Sequence, residues 1–129
     1  MTDCYTWEWL GDVALLTLAR RMTLADAEEL EAAMPTLSTR PQHVGRPWGL
    51  VVDLTHSGVL DVPAQAVVKR LMIANVRAGC SAKAMVVGTM IGKMQSQRLG
   101  QEAQQASDNF DSVPEALASV QGKLAAVLQ

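Results

Sequence analysis

Three short stretches of this chain hold residue types that can do chemistry. The first runs from Asp53 to Ser57 and brings an acid, the imidazole of His56 and a hydroxyl into five residues. Those are the ingredients of nucleophilic hydrolysis. However, His56 and Ser57 are chain neighbours, and no Gly-x-Ser-x-Gly elbow presents the serine. The second is Gly88-Thr89-Met90-Ile91-Gly92-Lys93-Met94, which invites comparison with a phosphate-binding loop. It misses that motif twice: the glycine spacing is one residue short, and Met94 stands where Ser or Thr would ligate magnesium. The third is the pair Asp53 and Asp61, which could meet at a sheet edge, but no third acid nearby completes a metal site. The plainer reading makes Asp61 a helix cap and Asp53 an acceptor for its own loop. His43 and His56 are the two histidines, each in a loop. Cys4 and Cys80 form no Cys-x-x-Cys or Cys/His spacing. The expectation is therefore no metal, no cofactor and no catalytic group; a hydrolase built on His56 is the weakest of three functional readings.

Strands and helices must position these residues. Tyr5, Trp7 and Trp9 alternate with polar neighbours, the period of a strand, and share one face. Gly11-Asp12 is a two-residue turn signal, and Val13–Leu18 completes a hairpin. Thr23 and Asp26 form an acidic capping box for a helix carrying Leu24, Ala27, Leu30 and Met34, with Pro35 at its end. Leu37 to Pro47 is a loop punctuated by Pro41, Gly45 and Pro47. Trp48–Leu54 is an apolar run typical of a buried parallel strand. Asp61 and Pro63 start a second helix, whose apolar stripe is Val67, Val68, Leu71, Met72 and Val76; Lys69, Arg70 and Arg77 are its solvated side. Gly79 stops it. Ala82–Val87 is a second buried strand. A third helix follows Gly88-Thr89 with Ile91, Met94, Leu99, Ala103 and Ala106 inward and Gln95, Gln97, Gln101, Gln104 and Gln105 outward. Asn109-Phe110 is a short strand. Ser112-Val113-Pro114-Glu115 is a capping box with proline in the first turn, opening a last helix on Leu117, Val120, Leu124 and Val127.

Composition sets the outer bounds. The chain has 129 residues, 49% hydrophobic and 19% charged, enough for one domain with a real core. A formal net charge of -2 argues against a general nucleic-acid binder. No apolar run reaches membrane-span length, and the start Met1-Thr2-Asp3 lacks a basic leader. A cytoplasmic protein with two free thiols is expected. The order β-β-α-β-α-β-α-β-α implies a single α/β domain, residues 1–129, with a mixed sheet, an N-terminal hairpin and about four helices.

This order and several stretches resemble the STAS superfamily, typified by bacterial anti-sigma-factor antagonists, and its divergent bacterial relatives in particular. Gly49-Leu50-Val51-Val52-Asp53-Leu54 looks like the family's central strand ending in Asp-Leu. The helix after Asp61 and the segment Phe110-Asp111-Ser112-Val113-Pro114-Glu115-Ala116-Leu117 are similar to later family elements. The resemblance implies a STAS-like fold and a regulatory, non-enzymatic role in binding a protein. It also carries a departure. Phosphoswitch members have Asp-Ser-Ser or Asp-Ser-Thr at the start of the helix after the central strand, where a phosphate alters partner docking. Here the stretch reads Asp61-Val62-Pro63, so both hydroxyls are gone; Thr55 and Ser57 lie just upstream as ordinary loop residues.

The resemblance places a partner-binding edge at Thr55, His56, Ser57, Asp61, Val62, Gly88 and Thr89. Tyr5, Trp7 and Trp9 are read as core, with self-association in a homo-oligomer as the alternative. The second functional reading is a module for a small apolar or lipid-like ligand held between sheet and helices. The seven methionines would suit an adaptable cavity.

Overall fold

The computed structural model describes residues 3–39, 46–103, 105 and 108–128. The expected loop residues Pro41, His43 and Gly45, and the helix residues Gln104 and Ala106, lie outside these. Strands β1 (Tyr5–Leu10), β2 (Val13–Leu18), β3 (Trp48–Asp53), β4 (Cys80–Val86) and β5 (Asp108–Phe110) alternate with helices α1 (Leu24–Leu37), α2 (Val62–Arg77), α3 (Met90–Glu102) and α4 (Val113–Leu128) in the anticipated order. The five strands form one sheet in the order β1-β2-β3-β4-β5. β1 and β2 are antiparallel, pairing Leu10 with Val13 across the turn, and Gly11 takes the left-handed φ of 67° that favours glycine there. The other neighbours are parallel.

Stepping one way across a parallel sheet with right-handed crossovers puts the connecting helices on one face. Accordingly, α1 and α2 share a core with Leu16, Leu18, Leu50, Val52, Met85 and Val87, and α3 packs on α2 through Met72, Leu99 and Ala103. α4 follows the last strand and covers the other face. There Ala116, Val120 and Leu124 meet Val13, Val51, Ala82, Ala84 and Val86. Gly49 permits that approach, because a Cβ at this position would sit 2.4 Å from Val120 Cγ1.

The helix ends follow local chemistry. Thr23 Oγ1 accepts from the Asp26 N–H (3.2 Å), and the Asp26 carboxylate accepts from the Thr23 N–H (2.9 Å), a complete capping box. Pro35 lies within α1, in its last turn. Ser112 Oγ accepts weakly from the Glu115 N–H and donates to Glu115 Oε1 at 2.9 Å. At α2, Asp61 has the extended backbone of a cap, but its side chain makes no capping bond. Its carboxylate pairs with Arg21 instead.

Two helical stripes differ from the expected ones. In α2 the interior position is Asn75, while Val76 is 43% exposed. In α3 the interior positions are Ser96, Leu99 and Gly100, with Ala103 just beyond; Ile91 and Met94 face outward. Small residues are selected there by closeness of approach: a Cβ on Gly92 would lie 2.7 Å from Val87 Cγ1. Helical spacing then turns Ile91 and Met94 away from the sheet.

Candidate functional site

The parallel strands β3 and β4 end at the same sheet edge, where ligands bind in open α/β folds. The loop after β3 and the start of α3 are stitched together there. Leu60 N–H donates to Gln95 Oε1 (3.0 Å), and Gln95 Nε2 returns a bond to the Leu60 carbonyl (3.1 Å). Gln65 Nε2 reaches that carbonyl as well, at 2.8 Å.

This edge carries much of the exposed apolar surface. Val62 is 77% exposed, Met90 73%, Ile91 66% and Met94 63%. These four occupy the first turns of α2 and α3, which Gln95 holds together. Thr55, His56, Asp61, Gly88 and Thr89 are exposed on the same edge. Ser57 is not: it is buried, and its hydroxyl donates to the Leu54 and Gly58 carbonyls at 3.2 Å each. Thr55 gives both its N–H (3.0 Å) and its hydroxyl (2.6 Å) to Asp53 Oδ1. Thr89 Oγ1 caps α3 by accepting from Gly92 N–H at 3.0 Å. Asp53, His56 and Ser57 therefore assemble no triad, and Asp53 and Asp61 are separately engaged. Among the described residues no cluster of His, Cys, Asp or Glu could hold a metal ion.

Beneath the edge, between the sheet and α1–α3, is a cavity of about 110 Å³. Its walls are mostly leucine and methionine, including Met22, Met34, Met72 and Met85. Lys83 also lines it, from the middle of β4 on the face of Met85. Only 5% of this lysine is exposed, and it has no hydrogen bond or ion pair among the described residues. Burial pushes its ammonium down to about 8, the nearby Cys80 thiol acting weakly the other way. Cys80 is itself buried and pushed up. Ser96 and Asn75 line the same space, and their Oγ and Oδ1 atoms are buried without partners among the described residues.

Sequence reasoning passed over Lys83. The signal was present, because a lysine inside Ala82-Lys83-Ala84-Met85-Val86-Val87 must take one face of a strand buried on both, and lysine is rarely buried unpaired.

The aromatic strand turns inward. Trp7, Trp9 and Trp48 form an edge-to-face group with centroids 5.5–6.2 Å apart, packed on the α1 side of the core. Trp9 Nε1 donates to the Leu37 carbonyl at 3.2 Å and fastens β1 to the end of α1. Tyr5, Trp7 and Trp9 are each half-buried. Cys4 and Cys80 are buried and are not joined in a disulfide. Among the described residues no helix is long and apolar enough to cross a membrane.

Solved structures with this architecture are distant in sequence. A proposed anti-sigma factor antagonist from Thermotoga maritima superposes with a TM-score of 0.67 at 12% identity, over 92% of this chain and 96% of its own. The fold is STAS-like. A second match is an uncharacterised Shewanella loihica protein from a domain family of unknown function, described as having a SpoIIAA-like fold. It has a TM-score of 0.65 at 14% identity, over 90% of this chain and 91% of its own. No family model matches the chain, and no curated protein matches it in sequence. Within the STAS-like fold, the edge described above is the one where the Asp61-Val62-Pro63 stretch sits.

Proposed function

We propose that this protein is a non-catalytic regulatory domain that binds a protein partner through the edge formed by the start of α2, the start of α3 and the loop after β3. The observation that carries this reading is the exposure of Val62, Met90, Ile91 and Met94 together on that edge. Contiguous exposed apolar side chains on a soluble domain mark interaction sites, and methionine suits an adaptable one. Valine and proline follow Asp61 where a phosphoswitch relative has hydroxyls, and the nearest hydroxyls, Thr55 and Ser57, are engaged or buried. Binding is therefore constitutive and does not run through phosphorylation of this helix start.

The test is quantitative capture from native lysate, followed by reconstitution with the purified partner. The bait is compared with Ile91→Lys/Met94→Lys and with Glu8→Lys as a distant control. A partner bound by the wild type and by the control, and weakened at least tenfold by the double variant, supports the reading. A partner bound equally by all three removes the edge from consideration.

The cavity favours a second reading, a module that holds a small apolar or lipid-like ligand. A co-purified small molecule seen by native mass spectrometry would support it.

A further inference from the structure

We propose that the cavity between the sheet and α1–α3 binds a short aliphatic monocarboxylate, its carboxylate held by Lys83 and Ser96 and its chain lying along Leu71, Met72 and Met85. This rests on the reading of the cavity as a ligand site and adds the chemical class of the ligand.

The polar groups select the head. Lys83 is 5% exposed, Ser96 4% and Asn75 4%, and all three line one cavity. Lys83 Nζ has no partner among the described residues, and Ser96 Oγ and Asn75 Oδ1 have none either. A fold built for packing alone would not leave three such groups around one space, because each buried unmet group is costly. An ammonium offers three donors and a serine hydroxyl one. A carboxylate brings acceptors only, which match Lys83 and Ser96 and leave the Asn75 amide oxygen unmet, and one negative charge against the one cation among the described lining residues. A dianion such as a phosphate monoester would leave a charge uncompensated in an apolar enclosure. Charge-assisted bonds to a carboxylate are also the strong ones.

The walls select the tail. Apart from these groups and the hydroxyls and amide at the edge, the described lining is leucine, methionine, valine and glycine. A space of about 110 Å³ is near the size that admits benzene in an engineered apolar cavity, which points to a chain of roughly six carbons. Unbranched, polarisable methionines adapt to such a chain.

The experiment is calorimetric titration of the full chain at pH 7 with hexanoate and with hexan-1-ol, for the wild type and for Lys83→Met. The wild type should bind hexanoate at least tenfold tighter than the alcohol, and Lys83→Met should lose that preference. In the wild type, hexanoate should also shift the NMR resonances of Ser96 and the Met85 methyl. If the wild type binds the alcohol as tightly as the acid, the anionic head is wrong while the ligand cavity stands. If neither binds at millimolar concentration, both ideas fall. Should Lys83→Met not fold, the acid-against-alcohol comparison and the resonance shifts in the wild type decide alone.

Discussion

The two faces of the sheet are closed in different ways. On the α4 face the sheet presents glycine, alanine and valine, and the helix lies directly on it, with Val120 filling the place of a missing Gly49 side chain. On the other face the sheet presents Leu16, Leu50, Lys83 and Met85; the three apolar ones pack with α1 and α2, and all four also line a cavity left between sheet and helices. Polar clamps along the rim help to hold those helices in place. Arg20 joins Asp26 at 2.7 Å and Asp3 at 2.8 Å; Arg70 joins α2 to Glu31 of α1 at 2.8 Å; Gln95 joins α3 to Leu60. One face is a core and the other is a container. Close packing secures the first through van der Waals contact, whereas the second must be fastened at its edges to keep its middle open.

The sharpest way to break this contrast is to overfill the closed face. Gly49→Val places branched atoms where even a Cβ is 2.4 Å from Val120 Cγ1. It should cost about 3 kcal/mol or more, by analogy with overpacked cores. Adding Val120→Ala should restore part of the loss, a coupling readable in a double-mutant cycle by urea unfolding. Simple additivity of the two losses would mean that α4 does not press on Gly49 as described.

The open face should respond in the opposite direction. Lys83→Met removes a buried charge that has no partner among the described residues and should stabilise the protein at pH 7, on the order of 3 kcal/mol. Its pH dependence carries the sign. Lys83 is pushed down from 10.5 to about 8 in the fold. Below pH 8 both states hold the proton, and the penalty is fully present. Between pH 8 and 10.5 the folded state loses its proton first, so the penalty shrinks with rising pH, and above 10.5 it is gone. Cys80, pushed up by burial, contributes with the opposite sign. The measured quantity is therefore the difference in unfolding free energy between wild type and Lys83→Met across pH 7–11. A difference that does not change with pH would show that Lys83 is not buried as an ammonium.

The rim clamps should be worth less than either. Asp26 is nearly buried, and the bonds from Arg20, then those from Thr23, hold its carboxyl well below the usual carboxylate range. Asp26→Ala loses the capping box and the Arg20 pair together and should cost about 2 kcal/mol. The carboxylate's contribution is complete above its unfolded value near pH 4 and is lost as pH falls below that, toward the folded value. Wild type and Asp26→Ala should thus converge in stability in strong acid. Equal separation at pH 2 and pH 7 would count against the clamp.

How much of this could be read from the chain depends on which kind of closure is involved. The hairpin at Gly11-Asp12, the capping box at Thr23 and Asp26, and the strand Trp48–Asp53 follow from local chemistry and were legible. So was the element order, because apolar strands alternating with capped helices have few solutions. The container was not. Hydrophobicity placed Ile91 and Met94 inside and did not pick out Ser96, because a periodicity argument assumes that a helix buries its most apolar face. A helix over a cavity, close to a strand at Gly92, buries its smallest face instead. Asp61 was legible as a cap by position, yet Arg21 comes from forty residues earlier to take its carboxylate, a tertiary contact that no local rule contains.

Ser96 gives the finest probe of the contrast. On a packed face, removing a buried hydroxyl strands its partner and costs about 1–3 kcal/mol. Ser96 Oγ has no partner to strand among the described residues, and Ser96 is part of the cavity wall. Ser96→Ala should accordingly change the unfolding free energy by under about 0.5 kcal/mol, with any shift toward greater stability, as measured by urea unfolding in the absence of ligand. A loss of more than about 1 kcal/mol would mean that the hydroxyl is bonded within the folded chain. With hexanoate present the same substitution should weaken binding, since the ligand would then supply the partner that the protein does not. A residue that is silent in the empty protein and matters only in the filled one belongs to a container and not to a core.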